Sequence, residues 1–436
     1  MVGAKSAFRI LSLDGGGSWA LLQVMALIRI YGQETRGHDV LAGFDLVAAN
    51  SGGSLTLGGL LTDKPLSEIL DRNFLDESQR RRVFATLPFR LDQGDKPLRS
   101  IWNRLMQRVA NVGAKYRTEA KLDGLRALLA PEGDRTLSEL HGWVKERKGH
   151  APHFVIVGFD YDMKRAKFFR SDDGSLSGSA ASKAFGANLR RDMANPKAKH
   201  VPTLAEAIHA SSNAPVTFFM SPAEVGEERY WDGAIGGYNN PVLAAVTEAL
   251  ANRGRYRIDD IHVLSLGTGT VSRPSRGRAM DKRLVATERQ QPTLFGDLKQ
   301  LAMSILDDPP DSATFTTHVL LGQPLPDPDA KPPLQPPVAG TVVRMSPVIR
   351  PVRASPNDMW RLPEGLGIDD FLAIQKLELD AIGAADVARL VVAGELWLAD
   401  QLPNQAIRET KEHECQVGHA TFSTALAAWR RLAGTG

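Results

Sequence analysis

Three consecutive glycines near the start of the chain, Gly15, Gly16 and Gly17, most constrain how it can fold. They follow a short apolar run, residues 8–13, that is typical of a buried strand, and they precede apolar residues at helical spacing from Leu21 onwards. Glycine allows positive φ and a close approach to the backbone, and the first N–H groups of a helix have no partner within it. The pattern therefore predicts a strand, an anion-binding turn and a helix.

A second strand-like run, residues 44–48, leads to a serine among small residues. Residues 49–53 read ANSGG and form a variant of the G-x-S-x-G nucleophile elbow, in which alanine replaces the first glycine. Small neighbours tolerate the strained turn that exposes such a serine, and an apolar helical run, residues 55–61, follows. We therefore consider Ser51 a candidate nucleophile and the glycine turn a candidate oxyanion hole.

Three other folds also place glycines between a strand and a helix. Residues 15–20 fit the G-x-G-x-x-A dinucleotide fingerprint, but that fold needs an acidic residue at the end of its second strand, where this chain has Ser51. Asp14 would also set a negative charge beside the pyrophosphate. A P-loop needs Gly-Lys-Ser/Thr, which does not follow here. An α/β-hydrolase uses serine, acid and histidine in that order, and neither His262 nor His318 has a distinctive context.

Composition excludes several classes of protein. Of the 436 residues, 43% are apolar, which suits a globular protein of one large or two to three modest domains. The formal charge of +3 is too mild to indicate nucleic-acid binding. The single cysteine, Cys415, excludes an intrachain disulfide, and no apolar run reaches the roughly 18 residues of a membrane span. We expect no signal peptide, because the first strand follows the N-terminus without the apolar region and cleavage site of one. We therefore expect a cytoplasmic protein. We also expect neither a cofactor nor a metal, because no cluster of metal ligands is apparent.

Further motifs follow in a fixed order. They are DGGG at residues 14–17, ASSNAP at 210–215, DGA at 232–234, Asn-Pro at 240–241 and LSLGTG at 264–269. Together with the serine elbow, this ordered set resembles the patatin-like phospholipases over about residues 6–275. The resemblance implies an α/β fold with three layers, α/β/α, around a mostly parallel central sheet.

The resemblance also implies a mechanism. The family uses a serine–aspartate dyad without histidine, so Ser51 would be the nucleophile, Asp232 the base, and the N–H groups of Gly15, Gly16 and Gly17 the oxyanion hole. The implied function is a serine lipid acyl hydrolase of phospholipase A or lysophospholipase type. The implied partners are a lipid or phospholipid substrate and, transiently, a membrane surface, with no particular oligomeric state. The alternative is a patatin-like lipid-binding or partner-activated effector with little turnover of its own.

The chain departs from the family pattern in two places. Trp19 and Ala20 stand where a basic residue and a glycine are common, and Ala49 stands where the elbow has glycine. The first departure removes a cation that could favour an anionic head group. It affects the expected substrate preference more than the expected catalysis, because the proposed oxyanion donors are backbone N–H groups.

We expect residues 1–275 to form the catalytic core. Within it, residues 64–118 mix apolar residues with a basic cluster at Arg80, Arg81, Arg82 and Arg90, as in a helical insertion or a lid that meets lipid. Residues 276–436 would be a mainly helical extension packed on the core, with a proline-rich surface segment at 325–338 and amphipathic helices at 369–399 and 405–432.

Overall fold

The computed structural model of the protein describes residues 7–83, 118–171, 200–215, 219, 221–253, 260–286, 309–355, 357–377, 381–410 and 413–434. Within these ranges, eight strands form one sheet. They are β1 (Phe8–Leu13), β2 (Leu46–Asn50), β3 (His153–Asp160), β4 (Arg165–Arg170), β5 (Ala223–Val225), β6 (Glu228–Asp232), β7 (Ile261–Leu266) and β9 (Val342–Met345). Two strand pairs lie outside it, β8 (Thr270–Val271) with β10 (Val348–Ile349), and β11 (Arg408–Glu409) with β12 (Cys415–Val417).

The sheet has the order β5-β6-β3-β2-β1-β7-β9, and β4 pairs with β3. The central pairs β3–β2, β2–β1, β1–β7 and β7–β9 are parallel, whereas β4, β5 and β6 pair antiparallel. Because parallel neighbours need crossover connections, helices lie between the central strands in sequence and cover both faces of the sheet.

Helices fill the connections. They are α1 (Leu21–Tyr31), α2 (Gly37–Leu41), α3 (Gly52–Leu61), α4 (Leu66–Leu70), α5 (Glu77–Val83), α6 (Thr118–Leu128), α7 (Leu137–Lys148), α8 (Leu204–Ser211), α9 (Val242–Ala251), α10 (Pro309–Leu320), α11 (Ile368–Lys376), α12 (Ala384–Leu398) and α13 (Phe422–Ala433). One π turn, Asp71–Leu75, lies between α4 and α5, and short 3-10 turns form at Gly17–Ala20, Glu132–Asp134, Gly233–Gly236 and Lys282–Leu284. None of the helices in the described part of the chain combines the length and the apolar composition that a membrane span requires.

Alternate residues of each central strand face opposite layers of core. In β1, Leu11 and Leu13 pack on one side with α1, α3 and α8, and Ile10 packs on the other side with α9. Side chains of a strand alternate between faces, so a strand that is apolar at successive positions must be covered on both sides. The predicted three-layer α/β/α fold with a mostly parallel sheet is confirmed.

The segment after residue 276 contributes to the sheet as well as to the helical layers. Strand β9 extends the parallel sheet beside β7, and α12 packs against α1. The helix predicted over residues 405–432 is wrong in its first half: residues 405–417 include β11 and β12, and only α13 is helical. Gly418, at φ 97°, follows β12 in a backbone conformation that interrupts a helix. The proline-rich residues 325–338 contain neither helix nor strand.

The basic cluster in the predicted lid is only partly a surface feature. Most of the insertion, residues 84–117 with Arg90, lies outside the described residues. Arg80 is buried, and its guanidinium donates to the carbonyl oxygens of Phe74 and Ile382. Arg81 pairs with Glu77 one turn earlier in α5. Arg80 therefore joins α5 to the C-terminal segment, and its interpretation as a lipid-facing cation is wrong.

Candidate active site

The carboxyl ends of three parallel strands bring the sequence motifs together. Leu13 of β1 is in register with Ala49 of β2 on one side and Leu266 of β7 on the other. The residues that follow these positions are the glycine turn, the serine elbow and the Gly-Thr-Gly segment. They therefore share one edge of the sheet, where ligands of open α/β sheets commonly bind.

Ser51 sits in a strained turn between β2 and α3. Its φ of 48° and ψ of −118° are unusual for a residue with a side chain, and its N–H donates to the Ser211 hydroxyl oxygen at 2.9 Å. Gly52 is required for packing, because a Cβ there would lie 2.4 Å from the Gly17 carbonyl oxygen. The elbow and the glycine turn are thus in direct backbone contact.

Asp232 reaches the same edge from an antiparallel strand. Strand β6 pairs with β3 beyond the point where β2 ends, and Asp232 is opposite Gly158. Its Oδ1 accepts hydrogen bonds from Asn50 Nδ2 at 3.1 Å and from the Ala234 N–H at 2.9 Å. The Ser51 side chain lies near this carboxylate and helps to lower its pKa. The structure thus places Ser51 beside Asp232, although Asp232 lies 182 positions after the adjacent Asn50 in the sequence.

Burial governs the electrostatics of this pair. Asp232 is 2% exposed and Ser51 7% exposed. Burial raises the pKa of Asp232 above its ordinary value, while hydrogen bonds from Ser51, Ala234 and Asn50 and the charge of Lys121 lower it. A carboxylate with a raised pKa is a stronger base than an exposed one, which suits proton removal from a hydroxyl.

The glycine turn offers two backbone donors. The Gly15 N–H is engaged, because it donates to the Asn239 carbonyl oxygen at 2.8 Å, and the Gly15 carbonyl accepts from the Thr268 hydroxyl at 2.7 Å. The N–H groups of Gly16 and Gly17 have no acceptor among the described residues. Glycine is needed at position 15 for another reason: a Cβ there would lie 3.0 Å from Ser51 Cβ, so a side chain would crowd the serine. Of the three predicted oxyanion donors, the geometry therefore leaves Gly16 and Gly17.

A buried ion pair holds the base of the glycine turn. Asp14 Oδ2 lies 2.6 Å from Arg344 Nη2, and both side chains are at most 4% exposed. Arg344 on β9 also donates to the Ser265 hydroxyl and to Gln405 Oε1. Burial raises the pKa of Asp14 to about 6, and Arg344 opposes that rise. The C-terminal segment thus contributes directly to the support of the candidate oxyanion hole.

Several residues of the site were not singled out from the sequence. Asn50 and Ser211 lie within motifs that carried the resemblance, and each now has a partner at the dyad. Arg344 and Lys121 had no signal, because a lone basic residue in an apolar stretch is indistinguishable from a solvated one. Trp19 is buried in the core.

The arrangement combines a hydroxyl, a neighbouring carboxylate and unpaired backbone donors. These groups are the ones that acyl transfer through a serine ester requires: a nucleophile, a base and donors for the oxyanion. Among the described residues, no group of three or more histidine, cysteine, aspartate or glutamate side chains is placed to hold a metal ion.

Comparisons with known proteins match this chain to phospholipases. A family model described as patatin-like phospholipase matches residues 11–246, more than half of the chain. Over 67 residues the chain is 40% identical to a Caenorhabditis elegans protein named intracellular phospholipase A2, a match that covers 15% of this chain and 6% of that protein. The chain therefore spans only a small part of the length of that relative.

Solved structures of similar proteins are more distant. VipD from Legionella pneumophila is 10% identical with a TM-score of 0.33, over 90% of this chain and 67% of that one. Human GIVD cytosolic phospholipase A2, in complex with methyl gamma-linolenyl fluorophosphonate, is 12% identical with a TM-score of 0.36, over 98% and 60% of the two chains.

Proposed function

The chain belongs to the patatin-like phospholipase family, a family of lipid hydrolases, and from this premise we propose that it is a serine lipid acyl hydrolase that cleaves carboxylic esters of lipids through an acyl-enzyme. Ser51 is the nucleophile and Asp232 the base in this proposal. The observation that carries it is the placement of the strained Ser51 beside the buried Asp232, whose carboxylate accepts a hydrogen bond from the adjacent Asn50. The substrate is a lipid or phospholipid, met during transient contact with a membrane surface from the cytoplasm.

In the first half of the reaction, Asp232 takes the proton of the Ser51 hydroxyl as Oγ attacks the ester carbonyl carbon. The carbonyl oxygen becomes an oxyanion, which accepts from the N–H groups of Gly16 and Gly17. When the tetrahedral intermediate collapses, the C–O bond to the leaving group breaks. The leaving alcohol or lysolipid takes the proton from Asp232, and the acyl group stays on Ser51.

In the second half, water replaces the leaving group. Asp232 takes a proton from the water as its oxygen attacks the acyl carbonyl carbon, and the same two N–H groups stabilise the second oxyanion. Collapse breaks the bond to Ser51 Oγ, which recovers the proton from Asp232. The free fatty acid leaves, and the site returns to its starting state. A carboxylate serves as base in both halves because it is oriented by Asn50 and Ala234.

Hydrolysis assays with matched variants test this proposal. Wild-type protein should release fatty acid from phospholipid vesicles and p-nitrophenol from a short-chain ester. Ser51→Ala and Asp232→Asn should each lose most of both activities while keeping the circular dichroism spectrum of the wild type. Ser78→Ala, at an exposed position of α5, serves as the control and should keep full activity. Full activity in either dyad variant would contradict the assignment.

The alternative is a lipid-binding or partner-activated protein with little turnover of its own. It predicts that the pure wild-type protein binds vesicles but releases no fatty acid or p-nitrophenol. The placement of Ser51 beside Asp232 favours the hydrolase, because a protein that only binds lipid has no need of a strained serine beside a buried carboxylate.

A further inference from the structure

A basic cavity lies outside the candidate active site, in the segments that follow β8 and β10. Its volume is about 540 Å³, and it is lined by residues 274–277, Arg353, Trp360 and His413. A cavity of this size is typical of sites that bind small molecules or head groups. The side chains of Arg276, Arg353 and His413 are basic, and none of the described residues that line the cavity is acidic. The lining therefore favours an anion.

Hydrogen bonds fix the two walls of the cavity to each other. Trp360 Nε1 donates to the Arg276 carbonyl oxygen at 2.8 Å, and the Trp360 N–H donates to the Arg278 carbonyl oxygen at 2.8 Å. Gly277 lies between these two carbonyls with a φ of 107°, and a Cβ there would lie 2.7 Å from Trp360 Nε1. The protein's own contacts thus hold the walls in place, so a ligand would not have to order them on binding.

The two arginines of the cavity suit a phosphate group. The Arg353 guanidinium carbon lies 4.3 Å from the centre of the Trp360 ring, and this stacking restricts its orientation. Arg276 is exposed, and its guanidinium has no hydrogen-bond or ion-pair partner among the described residues. A guanidinium can donate two parallel hydrogen bonds to a phosphate, which makes arginine a preferred residue for binding that group.

The acidic side chain that contacts the cavity lining is already paired. Glu409 Oε1 lies 3.4 Å from His413 Nδ1 and 3.5 Å from Arg350 Nη1. Glu409 thus shares its charge between these two basic groups, and it forms no ion pair with Arg276. The charge of Arg276 is therefore available to a ligand.

Exposed apolar side chains border the same walls. Met280 is 70% exposed and Met359 is 42% exposed. Ala279 forms a parallel bridge with Trp360, so each methionine is the sequence neighbour of one member of that bridge. Single exposed apolar residues are common on protein surfaces, but apolar side chains next to a group of cations are typical of a surface that enters the head-group region of an anionic membrane.

Strands β8 and β10 connect the cavity to the candidate active site. Thr268, just before β8, donates its hydroxyl to the Gly15 carbonyl oxygen of the glycine turn at 2.7 Å. Residues 274–277 follow β8, and Arg353 follows β10, which pairs with β8. The glycine turn and the cavity therefore lie at the two ends of one short strand pair, and a membrane held at the cavity would be near the candidate active site.

We propose that this cavity binds the phosphate of an anionic phospholipid head group and, with Met280 and Met359 at its rim, docks the protein on the membrane that supplies its substrate. Arg276 and Arg353 bind the phosphate, and the methionines enter the head-group region. The inference rests on the proposed function, because that function requires contact with a membrane. The cavity is a second lipid site, separate from Ser51, and lipid bound there is not hydrolysed.

The test measures binding to vesicles of ether-linked phosphatidylcholine, with and without ether-linked phosphatidylglycerol, by co-sedimentation. Ether lipids contain no carboxylic ester, so turnover cannot alter the membrane during the measurement. The proteins are the wild type and variants that remove the cations or the apolar rim, each checked by circular dichroism. They are Arg276→Gln, Arg276→Gln/Arg353→Gln and Met280→Gln/Met359→Gln.

A matched control removes the same charge at the other edge of the sheet. Arg29 and Arg430 are exposed in the last turns of α1 and α13. The end of α13 lies at the start of β1, because the Ala433 carbonyl oxygen accepts from Arg9 Nη2 at 3.0 Å. Arg29→Gln/Arg430→Gln therefore changes the net charge as the double cavity variant does, without changing the cavity.

We expect the wild type to bind vesicles with phosphatidylglycerol more tightly than vesicles without it. Each cavity arginine should contribute about fivefold, so Arg276→Gln should bind about fivefold and Arg276→Gln/Arg353→Gln about 25-fold more weakly. Met280→Gln/Met359→Gln should also bind more weakly, and Arg29→Gln/Arg430→Gln should bind as the wild type does. Because Arg276 is exposed and unpaired among the described residues, its single variant tests the site without a risk to folding.

Unchanged binding in either double variant of this surface, or an equal loss in Arg29→Gln/Arg430→Gln, would overturn the proposal. Calorimetric titration with inorganic phosphate tests for a soluble ligand instead. Binding of inorganic phosphate, with vesicle binding that the cavity variants leave unchanged, would overturn the assignment to a lipid. A wild-type protein that binds the vesicles as expected but hydrolyses no ester would support the docking site and contradict the proposed function, so the two failures are distinct.

Discussion

The buried ion pair between Arg344 and Asp14 gives a stability prediction with a definite size and pH dependence. Arg344→Met removes the cation and leaves Asp14 in a site where it is 2% exposed. Removing one partner of a buried pair typically costs about 3–5 kcal/mol, because the other charge stays uncompensated. We expect a loss of that size in the free energy of unfolding at about pH 8, where Asp14 is ionised in the wild type.

The loss should shrink in acid. The folded-state pKa of Asp14, about 6, exceeds its ordinary value of 3.8, so between these values the folded protein holds a proton that the unfolded chain releases. The stability that Asp14 contributes is thus present at low pH and is lost as pH rises through about 6. Arg344→Met raises the folded-state pKa further. At about pH 5 both proteins hold Asp14 neutral, and the difference between them is small.

Urea unfolding at these two pH values, followed by circular dichroism, measures the effect. Arg389→Met is the matched control, because it removes an arginine that pairs with Asp370 and Asp386 at a partly exposed site, where such pairs contribute about 0–1 kcal/mol. Adding Asp14→Asn to Arg344→Met should recover part of the lost stability. An equal loss at both pH values, or a loss no larger than in Arg389→Met, would refute the reasoning.

Three further predictions concern catalysis. In Gly52→Ala the new Cβ would lie 2.4 Å from the Gly17 carbonyl oxygen, so the ester assay should show a fall in kcat of about 10²-fold or more, whereas Gly142→Ala, whose Cβ meets nothing within 4 Å, should keep wild-type kcat. Asn50→Ala removes a donor to Asp232, so the acidic limb of kcat/KM should move to higher pH; an unmoved limb would exclude this role. Because burial raises the pKa of Asp232 above its ordinary value of 3.8, wild-type kcat/KM should already fall on acidification before the pH reaches 3.8. Full activity at pH 3.8 would contradict a catalytic carboxylate.

The part of the site that depends on parallel strands could be predicted from the sequence. Apolar runs followed by Gly15–Gly17 and by Ser51 indicated two strand ends, and neighbouring parallel strands place their ends at one edge. Asp232 was predicted through motif order rather than through geometry. Its approach on an antiparallel strand, in the space beyond the end of β2, could not be anticipated from periodicity.

Contacts between segments distant in the chain account for most of what was missed. Arg344 acquires its role only from the residues packed around it, and neither spacing nor composition marks its position. Engagement of the Gly15 N–H by Asn239 likewise depends on how another loop is placed. The prediction of a helix over residues 405–432 is wrong in its first half, because the few apolar residues there suit a pair of strands as well as a helix.

Labelling with a fluorophosphonate, followed by peptide mass analysis, tests the central claim most directly. Such a probe forms a covalent bond with an activated serine and needs no assumption about the lipid substrate. We predict one adduct per chain, on Ser51, with no adduct in Ser51→Ala and much slower labelling in Asp232→Asn. An adduct on another residue, or an unlabelled wild-type protein that still releases fatty acid, would contradict the assignment of Ser51 as the nucleophile.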